Sequence, residues 1–324
     1  MPRSIVCSQL GEPDVLTLET FDRVPLQAGQ VRIAVRAAGL NYTDVLTVAG
    51  KYQYKPPLPF VPGAEAAGDV IEIGEGVTTY SIGDRVVAKP RHGAFSEEIV
   101  AAESGLRLVP RAFDYAEGAT FFSGHGTAYH ALVYRAHLAP GETVLVHGAS
   151  GGVGLAAVEL AKVYGATVIA IGSSEEKLAI IRQRGADHTL RSGEPFRDKV
   201  KELTGGKGAD VVIDPVGGAA FEESLRCINF GARICVIGFL GGVGLARTNL
   251  VLIKSASVLG IRAGEDVRYH PEIGEARQRE LYRLAGERKV SPNISHRLPL
   301  ERCAEAMRLL MDRKAIGRVA LTMS

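Results

Sequence analysis

The chain has 324 residues, 46% hydrophobic and 23% charged, with 38 Lys+Arg against 36 Asp+Glu and a formal net charge of +2. At about 100–200 residues per domain, that length predicts two domains, each large enough for a core. The evenly spread, nearly balanced charge argues against nucleic acid as a partner, and no apolar run approaches the ~18 residues that cross a bilayer.

The start, reading MPRSIVC, lacks the apolar stretch of a signal peptide, so the expected location is the cytoplasm. Residues 1–125 read as strands and turns. Stretch 31–36 alternates apolar and polar with period two, and 67–73 is a second strand-like run. Segment 56–63, PPLPFVPG, is predicted to be a rigid extended loop, because proline lacks the amide donor and restricts its predecessor.

From about residue 140 the texture changes to short apolar runs alternating with helical patterns. Strands are expected at 143–147, 166–171, 210–214 and 233–237, and helices at 151–164, 174–184, 196–203 and 221–228. Such alternation predicts a parallel sheet covered on both faces. Two amphipathic helices, near 272–287 and 300–313, precede a final strand at 318–322, which is expected to join the sheet of the first domain. The cysteines Cys7, Cys227, Cys235 and Cys303 show no Cys-x-x-Cys spacing, so neither a zinc ribbon nor a disulfide framework is suggested.

Stretch 141–154, GETVLVHGASGGVG, sets a glycine cluster between a strand and a helix. Ala149, Gly151 and Gly154 fill the small-residue positions of a dinucleotide fingerprint. Small residues let the backbone approach a pyrophosphate, and the following helix presents free amides to it. Ser150, Gly151, Gly152 and Val153 are therefore cofactor candidates. A second cluster at 238–244, GFLGGVG, repeats the same four letters but lacks the strand–helix–strand unit that follows the first. It reads as a loop over the nicotinamide end of the same sheet.

An NAD site normally carries Asp or Glu at the tip of the second strand. Here that tip reads IGSS over 171–174, with no carboxylate. Gly172 closes the strand, Ser173 offers a hydroxyl, Lys177 lies one turn into the next helix, and Arg191 follows the third strand. A charge-assisted hydrogen bond contributes ~1.5–3 kcal/mol, so these groups predict NADPH over NADH. Glu175 and Glu176 stand against that reading unless they complement the helix N-terminus from its solvent side.

At this point the sequence resembles the medium-chain dehydrogenase/reductase superfamily, and within it the zinc-free quinone oxidoreductases of the zeta-crystallin-like branch. The likeness is carried by AGLNYTD at 38–44, GKY at 50–52, LPFVPG at 58–63 with Glu65, GDR at 83–85, the loop at 148–154, DPVG at 214–217 and the terminal Gly317 and Arg318. It implies an α/β fold: a doubly wound Rossmann domain at 126–265 and a mostly β GroES-like catalytic domain at 1–125, completed by a return segment at 266–324. Zinc enzymes of the superfamily carry Cys and His where this chain has Asn41 and Ala64. Neither an amide nor a methyl replaces a thiolate or imidazole, so no catalytic metal is expected.

Without a metal, the resemblance implies NADPH held against an acceptor that takes hydride readily, a quinone or an α,β-unsaturated carbonyl. Asn41 is a candidate to hydrogen-bond the acceptor or the nicotinamide ribose. Tyr52 is either a group orienting the acceptor carbonyl or a packing residue beside the proline loop. The resemblance also points to Tyr42 as cofactor packing, Thr127 near the nicotinamide ribose, and Phe239 with Leu240 over the nicotinamide. Arg318 is either a phosphate contact or a surface cation flanking a strand. Leu46 and Ser192 stand where some relatives have tyrosines, which makes the pocket more apolar and shifts phosphate recognition to Lys177 and Arg191. Competing functions are an enoyl-thioester reductase of the same fold and a non-catalytic NADPH-binding protein. A homodimer through a strand at 257–261 is also implied, an apolar edge being a liability in a monomer.

Overall fold

The structure is a computed structural model and describes residues 1–323. It divides into two compact units, residues 1–123 with 292–323, and residues 124–291.

The first unit is built on a seven-stranded sheet. Its long strand Gln30–Leu40 pairs antiparallel with Ala66–Ile73, with Glu98–Ala102 and with the final strand Arg318–Thr322, which carries Ile294–Pro299 alongside it in parallel. The expected return of the chain end to the first sheet is thus what the fold does. Val31, Ile33 and Val35 point into a core with Phe95, Leu106, Met307 and Leu321, so period-two alternation sets the buried face. The proline stretch forms no helix and contributes only an isolated bridge between Phe60 and Cys7.

Two helices interrupt the strand-and-turn texture predicted for 1–125. Tyr42–Val48 is entered through a reciprocal cap between Asn41 and Asp44. Tyr115–Tyr129 carries Gly118, Gly124 and Gly126, each costing about 1 kcal/mol of helix propensity against alanine. A second reciprocal cap starts it: the Glu117 amide donates to Asp114 Oδ1 and the Asp114 amide to Glu117 Oε2, both at 2.8 Å. Gly39 shows how closely its neighbours pack, since a Cβ there would meet the Ala119 carbonyl oxygen at 2.0 Å.

The second unit holds a six-stranded sheet, parallel throughout. Across it run His188–Arg191, Thr167–Gly172, Thr143–Val146, Ala209–Asp214, Ile228–Val236 and Ser257–Gly260. Numbered along the chain this is 3-2-1-4-5-6, the Rossmann order, with its switch point between Thr143–Val146 and Ala209–Asp214. Val144, Leu145, Val211, Val212 and Ile213 are fully buried, as strands covered on both faces require.

The domain limits differ from those expected. The second boundary falls at 291/292 rather than 265/266, because Ala263–Tyr269 and Pro271–Gly286 pack with the Rossmann unit. Leu281, Leu284 and Ala285 are buried, His130 hydrogen-bonds Asp266 at 2.6 Å, and Arg277 donates to the Gly126 carbonyl at 3.4 Å. An amphipathic helix follows whatever apolar surface accepts its stripe, and its own sequence does not say which domain offers that surface.

Candidate functional site

Ligands to a dinucleotide in this sheet order are expected beyond the carboxyl ends of the strands at the switch point. There, Gly148 leaves Thr143–Val146 with φ 54° and faces Pro215 and Val216 across the gap. Gly151 is the N-cap of Gly152–Val163 and offers no side chain, so the first helical amides stay open. At Gly154 a Cβ would lie 2.3 Å from the Gly148 carbonyl oxygen, so only glycine lets helix and loop close together. Ser150, Gly151, Gly152 and Val153 surround that helix start and are half-buried. The cradle fits a pyrophosphate, with backbone amides and a twelve-residue helix dipole aimed at one point.

The adenosine-end candidates also converge. Gly172 closes Thr167–Gly172 and sits in register with Arg191 on the next strand. Its missing side chain serves packing, since a Cβ would meet Leu178 at 2.8 Å and Ile181 at 2.9 Å. Lys177 reaches back to Ser173, Nζ to Oγ 3.2 Å, while Ser174 caps the helix Glu175–Gln183. Glu175 is drawn to Arg182 in an ion pair, which answers part of the objection its charge raised.

The second glycine cluster packs on the turn that follows Ala209–Asp214. The Gly241 amide donates to the Val216 carbonyl at 2.7 Å, and a Cβ on Gly217 would meet the Gly242 carbonyl at 2.3 Å. The loop therefore docks by backbone on Pro215–Gly218 and leaves Phe239 and Leu240 exposed. Only the six-residue helix Thr248–Ile253 follows it. Thr127 is half-buried near the end of Tyr115–Tyr129.

In the first unit, Asn41 caps Tyr42–Val48. Its backbone N–H donates to Asp44 Oδ2 at 2.7 Å, and its Nδ2 to the Gly39 carbonyl at 3.4 Å. Tyr42 is exposed beside it. The Tyr52 amide returns to the Leu46 carbonyl at 3.1 Å, which ties the loop carrying Tyr52 to the helix that Asn41 begins. The Tyr52 ring is half-buried.

Arg318 is the candidate whose setting differs most from expectation. It is only 7% exposed, not a surface cation, and the Glu65 carboxylate lies 3.6 Å from its Nη2. The left-handed Gly317 (φ 81°) precedes it and Val319 pairs with Leu40, so it lies inside its own unit beside Glu65, with its Nε and Nη2 lacking a hydrogen-bond partner. Burial pulls its guanidinium below the usual range, against the opposing pull of Glu65 and Asp44. Glu65 is fully buried and accepts the Ser123 amide at 3.1 Å. Asp44, the third member, is pushed up to about 7 by burial, with the Asn41 amide and Arg318 opposing that rise and Glu65 adding to it.

Sequence reasoning missed this triad, although Asp44 and Glu65 stood inside the quoted motifs. It also missed His147 and Asp214, which flank the switch point. His147 Nε2 lies 2.7 Å from Ser224 Oγ, and Asp214 Oδ1 accepts the Val216 and Gly217 amides at 2.8 Å, fixing the turn under the Gly238 loop. Burial holds the His147 imidazole below its usual range, against the pull of Asp214 and Glu223. The signal was positional: each is the last residue of its strand run, before a glycine or proline turn.

Asn41 and Ala64 are not ligands, and among the described residues no group of three or more His, Cys, Asp or Glu could hold a metal ion. His125 is engaged with Glu159 at 2.9 Å, and the four cysteines are free and buried. No helix among the described residues is long and apolar enough to cross a membrane.

Comparison with known proteins agrees with this geometry. Residues 27–111 match the alcohol dehydrogenase GroES-like domain and residues 152–277 the zinc-binding dehydrogenase model. A quinone oxidoreductase-like protein 2 homolog of Nematostella vectensis is 38% identical over 324 residues, covering 98% of this chain and 88% of the relative. Among solved structures, the native mycobacterial Rv1454c complexed with NADPH superposes with a TM-score of 0.91 at 30% identity, covering 99% of this chain and 100% of that one. The CurK enoyl reductase superposes with a TM-score of 0.90 at 28% identity, covering 100% and 99%.

Proposed function

The chain belongs to the medium-chain dehydrogenase/reductase superfamily, in its zeta-crystallin-like branch, and from that premise we propose an NADPH-dependent, zinc-independent reductase of quinones and α,β-unsaturated carbonyls. That it is an oxidoreductase with a nicotinamide cofactor follows from the family; the choice of NADPH, the acceptor and the absence of zinc are this reading's own. The observation that carries it is the adenosine end of the switch-point site. Ser173, Lys177 and Arg191 converge beside Gly172, and no carboxylate stands at the strand tip.

Bound NADPH supplies a hydride to the acceptor. The chain's part is to hold it: the amides at 151–153 take the pyrophosphate, Ser173, Lys177 and Arg191 the ribose phosphate, and Phe239 with Leu240 cover the nicotinamide. Thr127 packs the nicotinamide ribose, and Tyr42 is read as cofactor packing. Asn41 and Tyr52 orient the acceptor carbonyl, so that negative charge developing on oxygen meets a hydrogen-bond donor, and solvent completes the protonation. A conjugated acceptor suits a site without a Lewis acid because conjugation spreads that charge.

The site works in a homodimer under this reading. Ser257–Gly260 is one of the two edge strands of the six-stranded sheet, and Leu252 and Ile253, shortly before it in the chain, are 81% and 66% exposed. An apolar edge of that kind pairs with a second copy or aggregates. An enoyl-thioester reductase is the second reading, favoured by the likeness to an enoyl reductase at a TM-score of 0.90.

Steady-state NADPH and NADH oxidation with a naphthoquinone and a 2-alkenal tests the assignment. The expected preference for NADPH in kcat/KM is tenfold or more, and Lys177→Ala with Arg191→Ala should remove it by raising the NADPH KM about tenfold per contact. Equal use of both cofactors by the unaltered protein would overturn the cofactor reading. Tyr52→Phe should lower kcat with both acceptors about a hundredfold while the NADPH KM holds.

A further inference from the structure

One short helix of the first unit carries both residues assigned to the acceptor. Tyr42–Val48 has seven residues, and an isolated helix that short does not hold itself in water. Asn41 is its N-cap, and near its end the Leu46 carbonyl accepts the Lys51 and Tyr52 amides at 2.8 and 3.1 Å. The placement of Asn41, and of the turn that bears Tyr52, therefore depends on what fixes this helix. Val45 and Val48 are buried and hold it by apolar contact, which carries no direction. The directional hold is Asp44. It is buried, its Oδ2 accepts the Asn41 amide at 2.7 Å, and its own amide donates to the Asn41 carbonyl at 3.0 Å.

Three other segments act on Asp44. Glu65 does so from the segment before Ala66–Ile73, Arg318 from the final strand, and Cys303 from the helix Cys303–Met311. Burial first and Asp44 second push the Cys303 thiol up, so it stays neutral. Arg318 Nη2 stands 3.6 Å from Glu65 Oε2, and neither atom makes a hydrogen bond among the described residues. The guanidinium is thus not bound up by Glu65 alone, and its charge acts on Asp44 as well. Glu65 also reaches the cap through backbone. Its carbonyl accepts the Gly39 amide at 2.9 Å, and the Gly39 carbonyl accepts Asn41 Nδ2 at 3.4 Å.

We propose that Asp44 is a positioning residue for the acceptor: its carboxylate, in the field of Arg318, fixes the Asn41 backbone and so aims the Asn41 amide at the acceptor carbonyl, and the neutral acid holds it less firmly. An ionised carboxylate accepts a backbone N–H about twice as strongly as a neutral acceptor does. Burial pushes the Asp44 carboxyl up to about 7, with the Asn41 amide and Arg318 opposing that rise and Glu65 adding to it. The cap is therefore tight above that pH and looser below it. The tight form is the one that burial disfavours, so geometry at Asn41 is held at the expense of stability. The inference rests on the reductase reading above and adds to it a residue that acts through Asn41 rather than on the acceptor itself.

The test is the pH profile of kcat for a naphthoquinone and for 2-hexenal at saturating NADPH, from about pH 5.5 to about pH 8.5. In the unaltered protein kcat should rise about tenfold through a midpoint near 7. Asp44→Asn should keep kcat at the low-pH level throughout, with the NADPH dissociation constant within about twofold of the unaltered protein. Added to Asn41→Ala, Asp44→Asn should change kcat by less than about twofold, because its effect passes through Asn41. A readout free of turnover is the Asn41 amide resonance, which should titrate with the same midpoint in the unaltered protein and stay fixed in Asp44→Asn. A flat profile in the unaltered protein, a rise retained in Asp44→Asn, or an undiminished loss in the Asn41→Ala background would overturn the proposal. No NADPH oxidation with either acceptor would instead strike the reductase reading, and the Asn41 resonance would then decide alone whether Asp44 governs the cap.

Discussion

Asn41 and Asp44 each do structural work that a list of site residues conceals. Asn41 caps a helix while its side chain stands in the stretch assigned to the acceptor, and Asp44 closes that cap from a fully buried position. Its pKa of about 7 lies above the ordinary value of 3.8 because burial disfavours the charged form. The folded state therefore holds a proton that the unfolded chain has released between about pH 4 and pH 7. The stability due to that proton is fully present below about pH 4 and is lost as pH rises through 7. Asp44→Asn, which keeps the shape and an acceptor for the Asn41 amide, should flatten this part of the profile. Urea midpoints from pH 4 to 8 should show the variant gaining on the unaltered protein as pH rises; a constant difference would show that Asp44 does not titrate in this window. These residues were visible in the sequence as motif letters, but their burial against Arg318 was not, because Glu65, Asp44 and Arg318 come from three distant segments.

The strand–glycine–helix unit was legible because local rules govern it: an apolar strand, a turn only small residues can make, and a helix with open amides. Gly154 gives the sharpest check, since its absent Cβ would fall 2.3 Å from the Gly148 carbonyl oxygen. Gly154→Ala should push the helix start off the loop, cutting NADPH affinity about tenfold or more, read by quenching of nucleotide fluorescence, while far-UV circular dichroism stays near native. Unchanged affinity would mean that the loop does not cradle the pyrophosphate. Tyr115–Tyr129 was not legible from periodicity, since its glycines and weak amphipathicity hide it and tertiary burial of Phe121 and Ala119 overrides the propensity. The Asp114–Glu117 box at its start was the available signal.

At the scale of the whole chain, alternation of apolar runs and helices was enough to predict a parallel sheet, and the return of Arg318–Thr322 to the first sheet was anticipated from the need of a lone strand for partners. The second domain boundary was not, because nothing in an amphipathic stripe names the surface it will cover. The proposed function joins these levels: a Rossmann switch point whose second strand ends without a carboxylate, and candidate acceptor residues on a β-rich unit, with no metal ligand set among the described residues. The proposed reaction is hydride transfer from NADPH to a conjugated acceptor without a metal. The most direct measurement is single-turnover reduction of a 2-enal with NADPH deuterated at the transferring position, run in excess chelator and read by mass spectrometry of the product. One deuterium on the β-carbon per turnover is expected, at the same rate with and without chelator; product without deuterium, or a reaction abolished by chelation, would rule out metal-free hydride transfer.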